Sequence, residues 1–381
     1  MTGGACAPGF EAVRAAFEAN FVAPPGEIGA AVAAVVDGRP VVDLWGGVAD
    51  PHTRRAWEEG TPVLVYSTTK GPTAVSALLL WERGELDLDA PVAGVWPAFA
   101  AAGKEAVTTR HLLTHQGGLP VFDEPIAFSD CHDPDLVAAR LAAQTPHWAP
   151  GTAHGYHPLT WGWLVGEVVR RVAGRTVGRV FAEEVAGPLD LDFWIGLPPE
   201  KEAAVARLTP GPFDLSGAAP GDPALVFAAS LLDVTSLTYR AFANPPGQFD
   251  IEAFNAPELH QAEWPAANGI GTARALARLY GELASDRVLS AATLDEATRA
   301  QVSGPDRVLA IDTTFGLGFS LHSAMSASEP GTFGHEGAGG SVAFADRSRG
   351  VGFAYVMNQL TASLGADRRS RRLVEALYAS L

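Results

Sequence analysis

The apolar positions of this chain change period from one stretch to the next. Near the start, Phe10, Val13, Phe17 and Phe21 recur at helical spacing and predict a short amphipathic helix. The next segment, EIGAAVAAVVDGRPVVDLWGGVAD, holds two apolar runs on either side of Asp37-Gly38, a strong hairpin signal. Far along the chain, FGLGFSL, GTFGHEGAGGSVAFAD and GVGFAYVMN read as short strands broken by glycine and by Arg347-Ser348-Arg349-Gly350. The stretches between are helical in period: TTRHLLTH, PDLVAARLAAQ, LTWGWLVGEVVRRVAG, TVGRVFAEEVAGPL and TARALARLYGELA. Thr176 and Thr272 are candidate N-caps, and Gly174 stops the third of these helices. Glu167 and the pair Glu183-Glu184 fall on helices and read as surface charge. From Gly211 to Pro265 the chain is rich in proline, glycine and asparagine, which predicts long surface loops. No period repeats. The expected fold is α/β (α+β): an antiparallel sheet from both chain ends, flanked by helices, with a mainly helical domain inserted between. Residues 1–88 and 266–381 are expected to form the α/β sandwich, and residues 89–265 the inserted domain.

Composition narrows the function. The 381 residues are 47% hydrophobic and 18% charged, as in a folded globular protein. A formal charge of −16 disfavours nucleic-acid or anionic-membrane partners, which need a basic surface. The arginine run Arg368 to Arg372 reads as the solvated face of a last helix. Cys6 and Cys131 give neither a disulfide framework nor a cysteine-rich zinc site. The first residues lack a basic, then apolar, leader pattern, and no apolar run is long enough to span a bilayer, so a cytoplasmic location is expected.

Lysine is scarce. Lys70, Lys104 and Lys201 are three of 27 basic residues, and Lys70 stands three residues after Ser67 in VYSTTKGP. A serine hydroxyl needs a base within hydrogen-bond reach to act as a nucleophile. Residues three apart share a helix face. Pro72 suits a first turn and Gly84 a C-terminal cap, so Ser67 is expected at a helix N-terminus with Lys70 one turn in. There the dipole favours developing negative charge, and burial would make the lysine a usable base. A Ser-Thr-Thr run before a helix is also ordinary capping sequence. Two further features favour chemistry. Tyr156, in HGYHPLTWGWL, sits in a loop at a helix entrance, placed to aim its hydroxyl into a cleft. The strand segment His335-Glu336-Gly337-Ala338-Gly339-Gly340 offers small residues whose N–H groups can approach a substrate oxygen. His111 and His115 are spaced i, i+4 but have no obvious third ligand. No Gly-x-Ser-x-Gly elbow and no phosphate loop occurs.

Ser-x-x-Lys, the loop tyrosine and the His-x-Gly strand, in that order, resemble the serine β-lactamase/penicillin-binding-protein superfamily. Together with HLLTHQGGLP and EWPAANGIGTARALARLY, they look most like its class C branch, and within it the family VIII carboxylesterases. The resemblance implies a class C β-lactamase-like fold, no metal and no other cofactor. It implies Ser67 as the acylated nucleophile and Ser67 and Ala338 as the oxyanion hole. Lys70 would be the base, or would hold Tyr156 as a phenolate to do so. His335 stands where class C enzymes carry a lysine, Glu336 where they carry a threonine, and Tyr156-His157-Pro158 lacks their asparagine. With Gly337, Phe122 and Trp264 as further substrate contacts, these departures point to esters rather than β-lactams. The implied partner is a small-molecule ester or amide acyl donor, with an amine or alcohol acceptor if the enzyme is an acyltransferase. A weak β-lactamase or D-aminopeptidase and a non-catalytic sensor are the other readings. Oligomeric state is left open.

Overall fold

The computed structural model describes residues 2–24, 26–212, 223–246, 250–321, 331–361 and 367–381. Its largest element is an antiparallel sheet. Strands β1 (Thr2–Cys6), β2 (Gly29–Val36) and β3 (Arg39–Asp50) come from early in the chain. Strands β4 (Val302–Pro305), β5 (Asp312–Phe315), β6 (Ser320–Leu321), β7 (Thr332–Glu336), β8 (Val342–Asp346) and β9 (Val351–Met357) come from late. Their order across the sheet is β1-β3-β2-β9-β8-β7-β6-β5-β4, so β2 and β9 join the two groups, from Val36 opposite Val351 to Ala30 opposite Met357. The hairpin turns where expected, with Asp37 and Gly38 both at positive φ (49° and 75°), as the twist of a tight hairpin requires.

The alternation along β2 explains the layers. Ala30, Val32 and Ala34 face one core, with Val13 and Phe17 of helix α1 (Glu11–Asn20) and Leu373 and Leu377 of helix α5 (Arg368–Tyr378). Ala31, Ala33 and Val35 face the larger core, with helices α2 (Lys70–Glu82), α3 (Thr160–Ala173) and α4 (Ala273–Ala284). Helix α4 lies close on the sheet. A Cβ on Gly352 would fall 2.1 Å from the Gly281 nitrogen and 2.4 Å from the Ala277 oxygen, so only glycine permits this approach. Residues Lys70 to Leu80 of α2 are all buried, which makes it a central helix rather than a surface one.

Several expectations change. Thr2–Cys6 is an edge strand that its glycines hid. FGLGFSL turns at Gly316–Gly318 between β5 and β6 rather than running as one strand. Within the proline- and glycine-rich stretch, helices form at Pro223–Leu232, Leu237–Ala243, Ile251–Phe254 and Pro257–Gln261. Residues 213–222 and 247–249, where loops were also expected, lie outside the described residues. Glu167 is not surface charge: it is buried and accepts hydrogen bonds from both Arg170 and Arg171. Arg369 likewise leaves the expected solvated face and is buried, while Arg368 and Arg371 remain exposed. Among the described residues, no single helix is long and apolar enough to cross a membrane.

Candidate active site

Ser67 lies in a 3₁₀ turn, Tyr66–Thr69, that runs directly into α2. A small sheet sets this turn in place. Val63–Leu64 pairs with Ile270–Gly271, the Val65 N–H donates to Gly269 O at 2.9 Å, and the Gly269 N–H donates to Thr69 Oγ1 at 2.8 Å. Tyr66, just before the serine, sits at φ +46°, a left-handed conformation that costs a non-glycine residue roughly 1–3 kcal/mol. Ser67 is partly buried within an otherwise fully buried run.

The Lys70 side chain is fully buried, with Nζ 3.3 Å from Ser67 Oγ. Nζ also donates to Pro158 O (2.8 Å) and Ala266 O (3.1 Å), and sits 4.7 Å from the centre of the Tyr156 ring. Burial holds the ammonium well below the ordinary lysine range. Burial drives the Tyr156 phenol the other way, upward; a hydrogen bond with Ser67 opposes this, while Glu336 and Asp306 add to it. The Tyr156 loop is held by Asp306, whose two carboxylate oxygens accept the Tyr156 N–H at 2.9 and 3.0 Å.

His335 is buried on β7, its ring 5.9 Å from that of Tyr156. Its Nδ1–H donates to the Glu336 carbonyl at 2.6 Å, which leaves Nε2 as a bare acceptor with no partner among the described residues. Desolvation and the neighbouring Lys70 pull this imidazole down to about 3, so it is neutral at physiological pH. Gly337 admits no side chain: a Cβ would meet Ser341 Oγ and Val65 O, each at 2.2 Å. Ala338 follows, exposed within an otherwise buried turn, and neither its N–H nor that of Ser67 meets a main-chain acceptor among the described residues.

Phe122 and Trp264 stand further back. Rings pack in series from Tyr66 to Phe254 (4.9 Å), Trp264 (6.1 Å), Trp163 (5.1 Å) and Phe122 (5.6 Å). Both residues are buried within that wall, not on an open surface. The two spaced histidines have other duties. His111 closes a capping box with Thr108, and His115 Nδ1 accepts the His157 N–H at 3.1 Å.

Ser67, Lys70, Tyr156 and His335 are thus gathered from three separate stretches of chain. A family model described as Beta-lactamase matches residues 15–377. The chain belongs to the beta-lactamase family. The esterase/beta-lactamase LipL of Mycobacterium tuberculosis is 38% identical over 375 residues, 95% of this chain and 84% of that protein. A family VIII carboxylesterase of known structure superposes with a TM-score of 0.90 at 39% identity, over 100% of both chains. A penicillin-binding protein homologue from Caulobacter crescentus does so at 0.87 and 41%, also over 100% of both. Within this family the protein is a serine hydrolase of the carboxylesterase-like kind.

Asp306, Ser341 and Arg369, which hold the Tyr156 loop and the Gly337–Gly340 turn, were not singled out from sequence. For Arg369 a signal existed: it shares the i, i+4, i+8 spacing of Leu373 and Leu377, the buried face of α5.

Proposed function

We propose that the protein hydrolyses small carboxylic esters through an acyl-enzyme on Ser67. The observation that carries this is the environment of Lys70. A neutral amine has two N–H donors and one lone pair. With the donors on Pro158 O and Ala266 O, the lone pair is left for the Ser67 hydroxyl. In the first half-reaction Ser67 Oγ attacks the ester carbonyl and its proton passes to Lys70. The developing oxyanion lies between the N–H groups of Ser67 and Ala338. The ester C–O bond then breaks, and the alcohol leaves with a proton relayed through Tyr156. Water next attacks the acyl carbon by the reverse proton path and frees the carboxylic acid. The raised Tyr156 phenol favours Lys70 over a tyrosinate as the first base.

His335 supports esters over β-lactams. A neutral imidazole with an acceptor nitrogen repels the carboxylate that a lysine would bind, and Glu336 lies beside it. In this reading Ser67, Lys70 and Ala338 come from the α/β part (1–88 and 266–381) and Tyr156 from the helical part (89–265). The acceptor is water in the cytoplasm, and an amine or alcohol would attack the same acyl carbon.

Intact-protein mass spectrometry after mixing with a short-chain p-nitrophenyl ester, and separately with a serine-directed phosphonate, tests the proposal. Wild type is expected to carry one acyl or phosphonyl group and to release nitrophenol, and Ser67→Ala neither. Turnover by Ser67→Ala at the wild-type rate would remove Ser67 from the mechanism.

A further inference from the structure

The turn Gly337–Gly340 must hold the Ala338 N–H at a fixed distance from the Ser67 N–H, yet it consists of small residues with little packing of their own. Two side chains far apart in sequence restrain it. On one side, Ser341 Oγ donates to Val65 O (2.8 Å) and lies 3.1 Å from Thr68 Oγ1, while the Gly337 N–H donates to Ser341 O (2.8 Å). This ties the turn to the Ser67 segment. On the other side, Arg369 Nη2 reaches in from α5 and donates to Gly339 O at 2.9 Å. The Thr361 N–H donates to the same oxygen at 3.2 Å.

Arg369 is itself locked. Nε and Nη2 grip the Asp367 carboxylate, at 3.0 and 2.6 Å, and Nη1 donates to Glu27 (2.8 Å) and to Gln359 O (3.0 Å). Its side chain is 1% exposed, so the guanidinium is a rigid fork and not a surface charge. Gly340 completes the fit: at φ +124°, a Cβ there would lie 2.5 Å from Asp367 Oδ2 and 3.0 Å from Arg369 Nη2. The turn therefore sits against the guanidinium with no room for a side chain between them.

We propose that Arg369, held by Asp367 and Glu27, is a positioning residue for the oxyanion hole, fixing the Ala338 N–H through the carbonyl of Gly339. This rests on the assignment of the Ser67 and Ala338 N–H groups to that hole. Arg369 touches no substrate. It acts through the Gly339–Gly340 peptide, one residue beyond Ala338.

The test compares a p-nitrophenyl ester with its thionoester, whose sulfur accepts hydrogen bonds poorly, in wild type and in Arg369→Lys, which keeps the charge but loses the fork. Wild type is expected to prefer the oxygen ester strongly. In Arg369→Lys that preference falls by about tenfold, through kcat with KM little changed, while phosphonate still labels one serine per chain. A variant neutral throughout, Arg369→Gln with Asp367→Asn and Glu27→Gln, is expected to lose the preference in the same way. It covers the case in which a lone lysine does not fold. If wild type prefers the oxygen ester and the folded variants keep that preference in full, Arg369 does not position the hole. If wild type itself shows no preference, the oxyanion-hole assignment fails first, and the positioning role with it.

Discussion

Replacing Asp306 by alanine should damage stability and catalysis together, because one buried carboxylate organises two loops. Asp306 is 3% exposed. Its oxygens accept the N–H groups of Tyr156 (2.9 and 3.0 Å), Val308 (2.8 Å) and Leu309 (2.8 Å), and the Thr313 hydroxyl at 3.1 Å. Alanine leaves three buried main-chain donors without an acceptor. At roughly 1–3 kcal/mol each the upper bound is about 9 kcal/mol. Relaxation of the 306–311 loop lowers this, and a loss of about 4 kcal/mol is expected. Asp306→Asn keeps one accepting oxygen and should lose about half as much. Urea unfolding measures both. In parallel, kcat for a p-nitrophenyl ester should fall about 100-fold in Asp306→Ala, the scale expected when a reacting group shifts by about 1 Å. An Asp306→Ala protein that unfolds within about 1 kcal/mol of wild type and turns over normally would refute this account of the Tyr156 loop.

Activity should depend on pH through Lys70. Burial lowers its ammonium, so kcat/KM should rise as Lys70 loses its proton and reach its plateau well below the ordinary lysine range; Lys70→Ala should lose that limb along with nearly all activity. Stability should follow the buried histidines. His157 and His335 are held down to about 3 against 6.5, so the stability they confer is complete above about 6.5 and is lost as pH falls towards 3; a flat urea midpoint across that window would contradict their burial. Gly337→Ala should fold but lose roughly 100-fold or more in kcat, because the new methyl meets the Val65 carbonyl, which cannot rotate away; a kcat near wild type would show that the turn yields.

The parts of this architecture that are local in sequence could be read there. Asp37-Gly38 specifies its own hairpin, and Ser67 to Gly84 carries the signals for a helix start and stop. Gly211–Pro265 misled because its prolines and glycines outweighed PALVFAASLL, an apolar run that forms a helix. Ser67, Lys70 and Tyr156 could be singled out as candidates because they stand in recognisable spacings, and the structure brings them together. Their supports were not. Arg369 lies 30 residues from the Gly339 carbonyl it holds, and Asp306 lies 150 from Tyr156. No local pattern announces a partner at such separations, so charge alone suggested solvent for Arg369 where pairing allows burial.

The join between β2 and β9 sets a condition on biosynthesis. GAAVAAVV is apolar on both faces, and one of its edges stays open until residues 351–357 leave the ribosome. For most of translation the nascent chain therefore carries a sticky, uncharged strand edge, the kind that recruits chaperones or pairs with a neighbouring chain. Slow closure of this long loop, rather than formation of the helices around Ser67, should govern how much active protein a cell recovers.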